Sequence, residues 1–284
     1  LTVPIFKYTG RRANWQEKSA AGSNAYTEII GSYQLIIAIN DWRNMATPAL
    51  NTDSKADIKQ GVARWAGQMI AALVFAWVVL FLAAGRLDWT AGWVYLGMNF
   101  LTQALSAIVL LPRRPDMLAE RSKVREGTKE WDRFFATAIV IFGTLAVLIT
   151  AGLDARFGWS APISSSLWEA ALALAFGSQI FVLWAMATNP FFATTVRIQD
   201  ERGHHVVSNG PYRLVRHPGY FGSLIYNLAI PLVLASWWTF LPALLTIVLL
   251  ILRTRLEDRT LQSELPGYPA YAAAVRRRLI PGVW

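Results

Sequence analysis

Charged residues vanish from the chain over five long stretches. Trp65 to Gly85, Thr90 to Leu111, Phe134 to Leu153 and Ala170 to Thr188 are each free of Asp, Glu, Lys and Arg. Each holds about 20 residues, enough to cross a hydrocarbon core at about 1.5 Å of rise per residue. The fifth stretch, Tyr220 to Leu252, is too long for one straight span and slightly short for two full spans plus a turn. It predicts a tight hairpin of two short helices turning around Ala235 to Trp238. Pro231 and Pro242 stand on either side as helix-bending or helix-starting residues. The expected fold is an all-α polytopic membrane bundle of about six apolar helices that ends in a helical hairpin.

The polar segments between these runs set the organisation. Residues 1–60 form a polar N-terminal extension with one short apolar run, Leu35 to Ile39, and lack the ordered features of a signal peptide. Residues 61–188 hold four transmembrane helices, and 189–284 hold the last hairpin and most of the candidate chemistry. Between the second and third runs lies a basic loop with Arg113, Arg114, Arg121, Lys123, Arg125, Lys129 and Arg133. The positive-inside rule makes this loop cytoplasmic, leaves the Arg86 to Asp88 link outside, and with six spans puts both termini in the cytoplasm.

Composition agrees with the bilayer as solvent: 54% of residues are apolar and 16% are charged, against roughly 25% charged in a soluble domain. A net charge of +9 suits cytoplasmic loops facing anionic lipid headgroups better than it suits nucleic acid. There is no cysteine, which excludes disulfides, thiolate metal sites and thiol nucleophiles. Any chemistry rests on His, Tyr, Arg and carboxylates.

All three histidines, His204, His205 and His217, fall between Asn189 and Tyr220, beside Gln199 and Gly210-Pro211-Tyr212. Three histidines without a spaced carboxylate pattern make no recognisable metal site. Pro218 holds His217 extended and is a natural first helical residue, so His217 is expected just before the helix. The far arm of the hairpin contributes Arg253, Glu257 and Leu261 on one helical stripe, with Asp258 beside Glu257. Plain alternatives stand beside the chemical ones. His217 can bond a backbone carbonyl, Arg253 and Glu257 can form a surface ion pair, and Arg276 to Arg278 can contact anionic lipid.

Gly210-Pro211-Tyr212 with Arg216-His217-Pro218-Gly219-Tyr220-Phe221-Gly222, followed beyond the hairpin by Arg253, Glu257-Asp258, Gly267-Tyr268, Tyr271 and a terminal basic-Pro-Gly, resembles the isoprenylcysteine carboxyl methyltransferase and phospholipid N-methyltransferase group. That resemblance implies an S-adenosylmethionine-dependent methyltransferase with a cytoplasmic cofactor pocket lined by Gln199, His204, Tyr212, His217, Pro218, Gly219, Tyr220 and Glu257. It implies a lipophilic methyl acceptor entering from the bilayer, with Arg253 on the acceptor side. His217 and Glu257 are the nearest proton acceptors if one is needed. Asp258 departs from the group, where a second Glu is common. A carboxyl acceptor is slightly preferred over a lipid amine. A non-enzymatic reading, a small transporter or assembly subunit of the same fold, stands against charge-free spans and retained pocket residues.

Overall fold

The computed structural model describes residues 54–123 and 127–280. Most of the expected N-terminal extension, Arg125 of the basic loop and Pro281-Gly282 lie outside the described residues. Among the described residues every regular element is helical.

Helix α1 (Lys55–Ala84) starts ten residues before its apolar run. Ser54 caps it in a reciprocal capping box with Asp57, and Gly85 ends it in the left-handed conformation. Helix α2 (Thr90–Leu110) leads into the short α3 (Pro115–Arg121), which Pro115 and Asp116 open in the manner of a helix start. Helix α4 runs over Glu130–Phe157 with a wider π-type turn at Ile141–Ala146, and α5 covers Ser165–Thr188. These four long helices, α1, α2, α4 and α5, are apolar enough to cross a membrane, and only 17% to 39% of their apolar windows is buried within the protein. Their outward faces are lipid-facing surface, and the chain is an integral membrane protein.

The last pair is different in build. Helix α6 (Pro218–Val233) has 16 residues, and α7 (Phe240–Glu264) has 25 but carries Arg253, Arg255, Glu257, Asp258, Arg259 and Glu264 in its second half. Among the described residues four helices therefore meet the length and composition of a span, against about six expected. A short helix α8 (Tyr268–Ala274) follows.

The core lies where α1, α2, α4, α5, α6 and α7 meet, around fully buried Leu80, Leu148, Ala175 and Val233. Close approach rests on glycine at several crossings, two of them beside this core. A Cβ on Gly152 of α4 would lie 2.5 Å from the Ala83 Cβ of α1, and one on Gly222 of α6 would lie 2.5 Å from Val182 Cγ2 of α5. At one end Asp154 accepts from the Ser160 backbone at 2.8 Å and from Ser236 Oγ at 2.5 Å. That carboxylate ties the α4–α5 link to the α6–α7 turn. The opposite end gathers α3, residues 189–217, the polar half of α7 and the C-terminal strap 275–280.

Candidate active site

At that polar end the helices splay around a cavity of about 380 Å³, within the size range of small-molecule sites. Its walls come from α3, residues 189–207, the start of α6, one stripe of α7, and α8. Gln199, His204, Tyr212, His217, Pro218, Gly219, Tyr220, Arg253 and Glu257 all line it. The one motif run and one α7 stripe therefore face a common space, because Arg253, Glu257 and Leu261 repeat every four residues on α7.

The floor is built on Asp258, whose side chain is fully buried. Arg216 grips it in a two-pronged pair, Nε to Oδ1 at 2.8 Å and Nη2 to Oδ2 at 3.0 Å. His217 Nε2 lies 3.1 Å from Oδ1, Tyr268 Oη donates to Oδ1 at 3.0 Å, and Gln262 Nε2 donates to Oδ2 at 2.7 Å. Arg278 Nε stands 2.9 Å from Oδ2. Burial alone would raise the Asp258 pKa, but the hydrogen bonds from His217 and Arg216 hold it well below the ordinary carboxylate range. Arg216 also donates to the carbonyls of Val275 and Arg276, and the Arg216 and His217 backbones donate to Arg277 and Arg278. The residues just before α6 are thus stitched to the C-terminal strap.

Helix α6 begins at Pro218 with His217 as its cap residue. In the first turn the Phe221 N–H reaches the His217 carbonyl, while the Gly219 and Tyr220 N–H groups precede any helical partner. Gly219 also seats Phe192, since a Cβ there would lie 2.6 Å from the ring. Across the cavity Tyr220 Oη donates to Glu257 Oε2 at 2.6 Å, and the Arg253 guanidinium lies 5.6 Å from the Tyr220 ring centre. Tyr212 accepts from Asn189 at 3.1 Å, and burial pushes its phenol pKa up.

Two expected site residues are committed to the protein itself. The Gln199 amide donates to the Phe191 carbonyl at 2.8 Å and accepts from Arg202 at 2.5 Å, and only 1% of the residue is exposed. It braces the cavity wall. His204 stacks on Phe191 at 4.6 Å, and its Nδ1 accepts from the Gln199 N–H. Burial, then the nearby His205, Arg197 and Arg202 charges, lower its pKa to about 4, so the ring is neutral with its proton on Nε2.

The Arg253–Glu257 ion pair is not formed. Arg253 Nε instead donates to Asp132 Oδ1 of α4 at 2.7 Å, and Nη2 donates to the Thr194 carbonyl at 2.8 Å. The same fully buried Asp132 accepts from the Val196 N–H at 2.8 Å. Beside Arg253, Arg121 of α3 also faces the cavity, 5.3 Å from the Phe192 ring centre. Burial and then the charge of Arg253 lower its pKa to about 10, and it has no carboxylate partner among the described residues.

Sequence reasoning did not assign Asp132, Arg121 or Asn189 to the site, and it left the role of Asp258 open. Arg121 was legible only as topology charge, and Arg278, expected with its neighbours at lipid, also sets its Nε 2.9 Å from Asp258. Among the described residues no three His, Asp or Glu side chains gather as a metal site.

Residues 171–263 match the family model described as isoprenylcysteine carboxyl methyltransferase (ICMT) family. The match spans most of α5, the 189–217 segment, α6 and nearly all of α7, and it bears out the resemblance carried by the motifs. The family is one of methyltransferases. The chain is also similar to the uncharacterized protein YpbQ of Bacillus subtilis (strain 168), at 29% identity over 163 residues, 56% of this chain and 95% of that protein.

Proposed function

We propose that this membrane protein is an S-adenosylmethionine-dependent methyltransferase whose acceptor is a lipophilic carboxylate. The observation that carries the reading is the cavity itself. The α7 stripe offers a carboxylate, Glu257, braced by Tyr220, and one turn away on the same stripe a guanidinium, Arg253, with Arg121 of α3 near it.

The residues present fit the cofactor's chemistry. Glu257 and the Tyr212 and Tyr220 rings suit a cationic centre, and the Gly219 and Tyr220 N–H groups at the helix start suit its carboxylate. A bound S-adenosylmethionine supplies an electrophilic methyl group on a positively charged sulfur. The chain's own work is positioning and exclusion of water. Asp258 orients His217 through Nε2, which leaves Nδ1 as the ring's acceptor. Arg253, braced by Asp132 and Thr194, and Arg121, resting on Phe192, hold an anionic oxygen in line. A carboxylate acceptor is already ionised and needs no base. Two neighbouring guanidiniums suit an anionic oxygen and offer an amine no acceptor for its proton, which favours the carboxyl class over a lipid amine.

Ile139, Val182, Met186, Ser223 and Leu250 extend the cavity wall towards the membrane-spanning helices. They suit an apolar acceptor tail drawn from the bilayer. In this reading α6 and α7 enter the membrane as a short hairpin, residues 189–284 form the catalytic region, and the cavity and both termini are cytoplasmic.

The test uses the full chain in mild detergent, titrated calorimetrically with S-adenosylmethionine, beside Glu257→Ala and Arg121→Gln variants. Saturable binding by the parent, lost in Glu257→Ala, is expected. Arg121→Gln keeps cofactor binding and loses methyl transfer to a prenylated thioether acid, with a rise in KM of about tenfold or more, the loss of one charge-assisted bond. Absence of binding by folded parent protein sinks the enzyme reading. Equal KM in the Arg121 variant sinks its acceptor role.

A further inference from the structure

On the face of α7 turned away from the cavity, Ile251, Leu252, Arg255 and Arg259 join Arg278 of the C-terminal strap around a second groove. The spacing follows from the helix. Ile251, Arg255 and Arg259 recur every four residues, so each guanidinium stands about 6 Å above the last side chain on the stripe. The lower end is apolar and Leu252 is 43% exposed, while the upper end is lined by three arginines and no carboxylate. Arg255 and Arg259 make no ion pair among the described residues.

Arg278 is held in place rather than freely swinging. Its Nε rests on Asp258, and the next residue, Leu279, is fully buried against Leu224 and Leu250. A guanidinium fixed on the strap thus borders two exposed ones on the helix. The level is that of a membrane surface, since charge-free Phe240 to Leu252 ends one turn below Arg255. An apolar foot with a cationic head is the chemistry of a phospholipid with an anionic headgroup, one chain lying on Ile251 and Leu252 and the phosphate between the arginines.

We infer that the Arg255, Arg259 and Arg278 groove is a specific site for an anionic phospholipid headgroup, set on the opposite side of α7 from the cofactor-type cavity. It is separate from the methyl-transfer reading and stands or falls without it.

The full chain is purified in neutral detergent, incubated with mixed micelles of phosphatidylglycerol and phosphatidylcholine, and the retained lipid is read by native mass spectrometry. The expected result is preferential retention of phosphatidylglycerol, reduced roughly 30-fold in Arg255→Gln/Arg259→Gln, at about fivefold for each guanidinium near an anionic headgroup. Arg255→Lys/Arg259→Lys, which keeps the charge, retains most of it and controls for folding. Lys55→Gln/Lys59→Gln, which removes two exposed cations from the start of α1, leaves retention unchanged. Three outcomes overturn the site: undiminished retention in the Arg255/Arg259 glutamine variant, an equal loss in the Lys55/Lys59 variant, or displacement of the lipid by millimolar inorganic phosphate. The last would make it a soluble-anion site.

Discussion

Asp258 carries more of the polar end than any other side chain, because its two oxygens serve Arg216, His217, Tyr268, Gln262 and Arg278 together. Asp258→Asn keeps the shape but removes the charge that two guanidiniums share. Breaking a buried ion network by deleting one partner costs about 3–5 kcal/mol, so the variant should melt well below the parent in detergent. An unchanged melting temperature would show that solvent already screens the cluster. His204 gives a second test with a defined sign. Its pKa falls to about 4 in the folded protein, against about 6.5 in an unfolded chain. Between those values the unfolded state takes up a proton that the folded state refuses, so stability declines as pH falls from 6.5 towards 4. His204→Gln should flatten that part of a melting-temperature profile, and a slope that persists would place its origin elsewhere.

At the scale of elements, the contrast between Gly222 and Gly177 is informative. A Cβ at Gly222 would press on Val182 and come within 3.0 Å of the Ser178 carbonyl, whereas one at Gly177 meets nothing within 4 Å. Gly222→Ala should force α5 and α6 apart at a cost of about 1–3 kcal/mol, the range for overpacking a close contact. Gly177→Ala should be neutral or up to about 1 kcal/mol stabilising through helix propensity. Equal melting shifts would mean that the α5–α6 crossing is not as tight as drawn. Neither position differs from the other in sequence, since each is a glycine in an apolar run. The runs themselves were legible because lipid and core both demand apolar residues. Their ends were less legible: Pro218 was read as a helix start, but the Ser54–Asp57 capping box, ahead of the first apolar run, and the Pro115-Asp116 start of α3 went unread. The wide turn at Ile141–Ala146, where Gly143 lies against Thr246 of α7, had no local mark. The candidate site divides the same way. The α7 stripe was readable from spacing and the pocket role of the motif run from the resemblance, but Arg121 reaches the cavity, and Asp132 reaches Arg253, from more than 100 residues earlier, and only the packing of α3 and α4 brings them there.

At the scale of the whole molecule, charge and packing agree on two distinct ends. The cavity, the basic α2–α4 connection and the C-terminal strap share one. At the other, Ser236 and Trp237 of the α6–α7 turn bond Asp154 and Ser160, and Gly85 lies within reach of Arg156. The α1–α2 link, the α4–α5 link and the α6–α7 turn therefore share one face, the one that the proposed orientation puts outside. Because the chain lacks cysteine, a single introduced thiol reports its own side without background. Asp88→Cys in the first link and Trp237→Cys in the turn should react with a membrane-impermeant maleimide on intact cells, and exposed Ser208→Cys only after permeabilisation. The reverse pattern would invert the orientation and put the cavity outside, away from any cytoplasmic supply of cofactor. Labelling at Asp88→Cys without labelling at Trp237→Cys would mean that α6 and α7 dip into the membrane without crossing it, leaving the four long helices as the whole membrane domain.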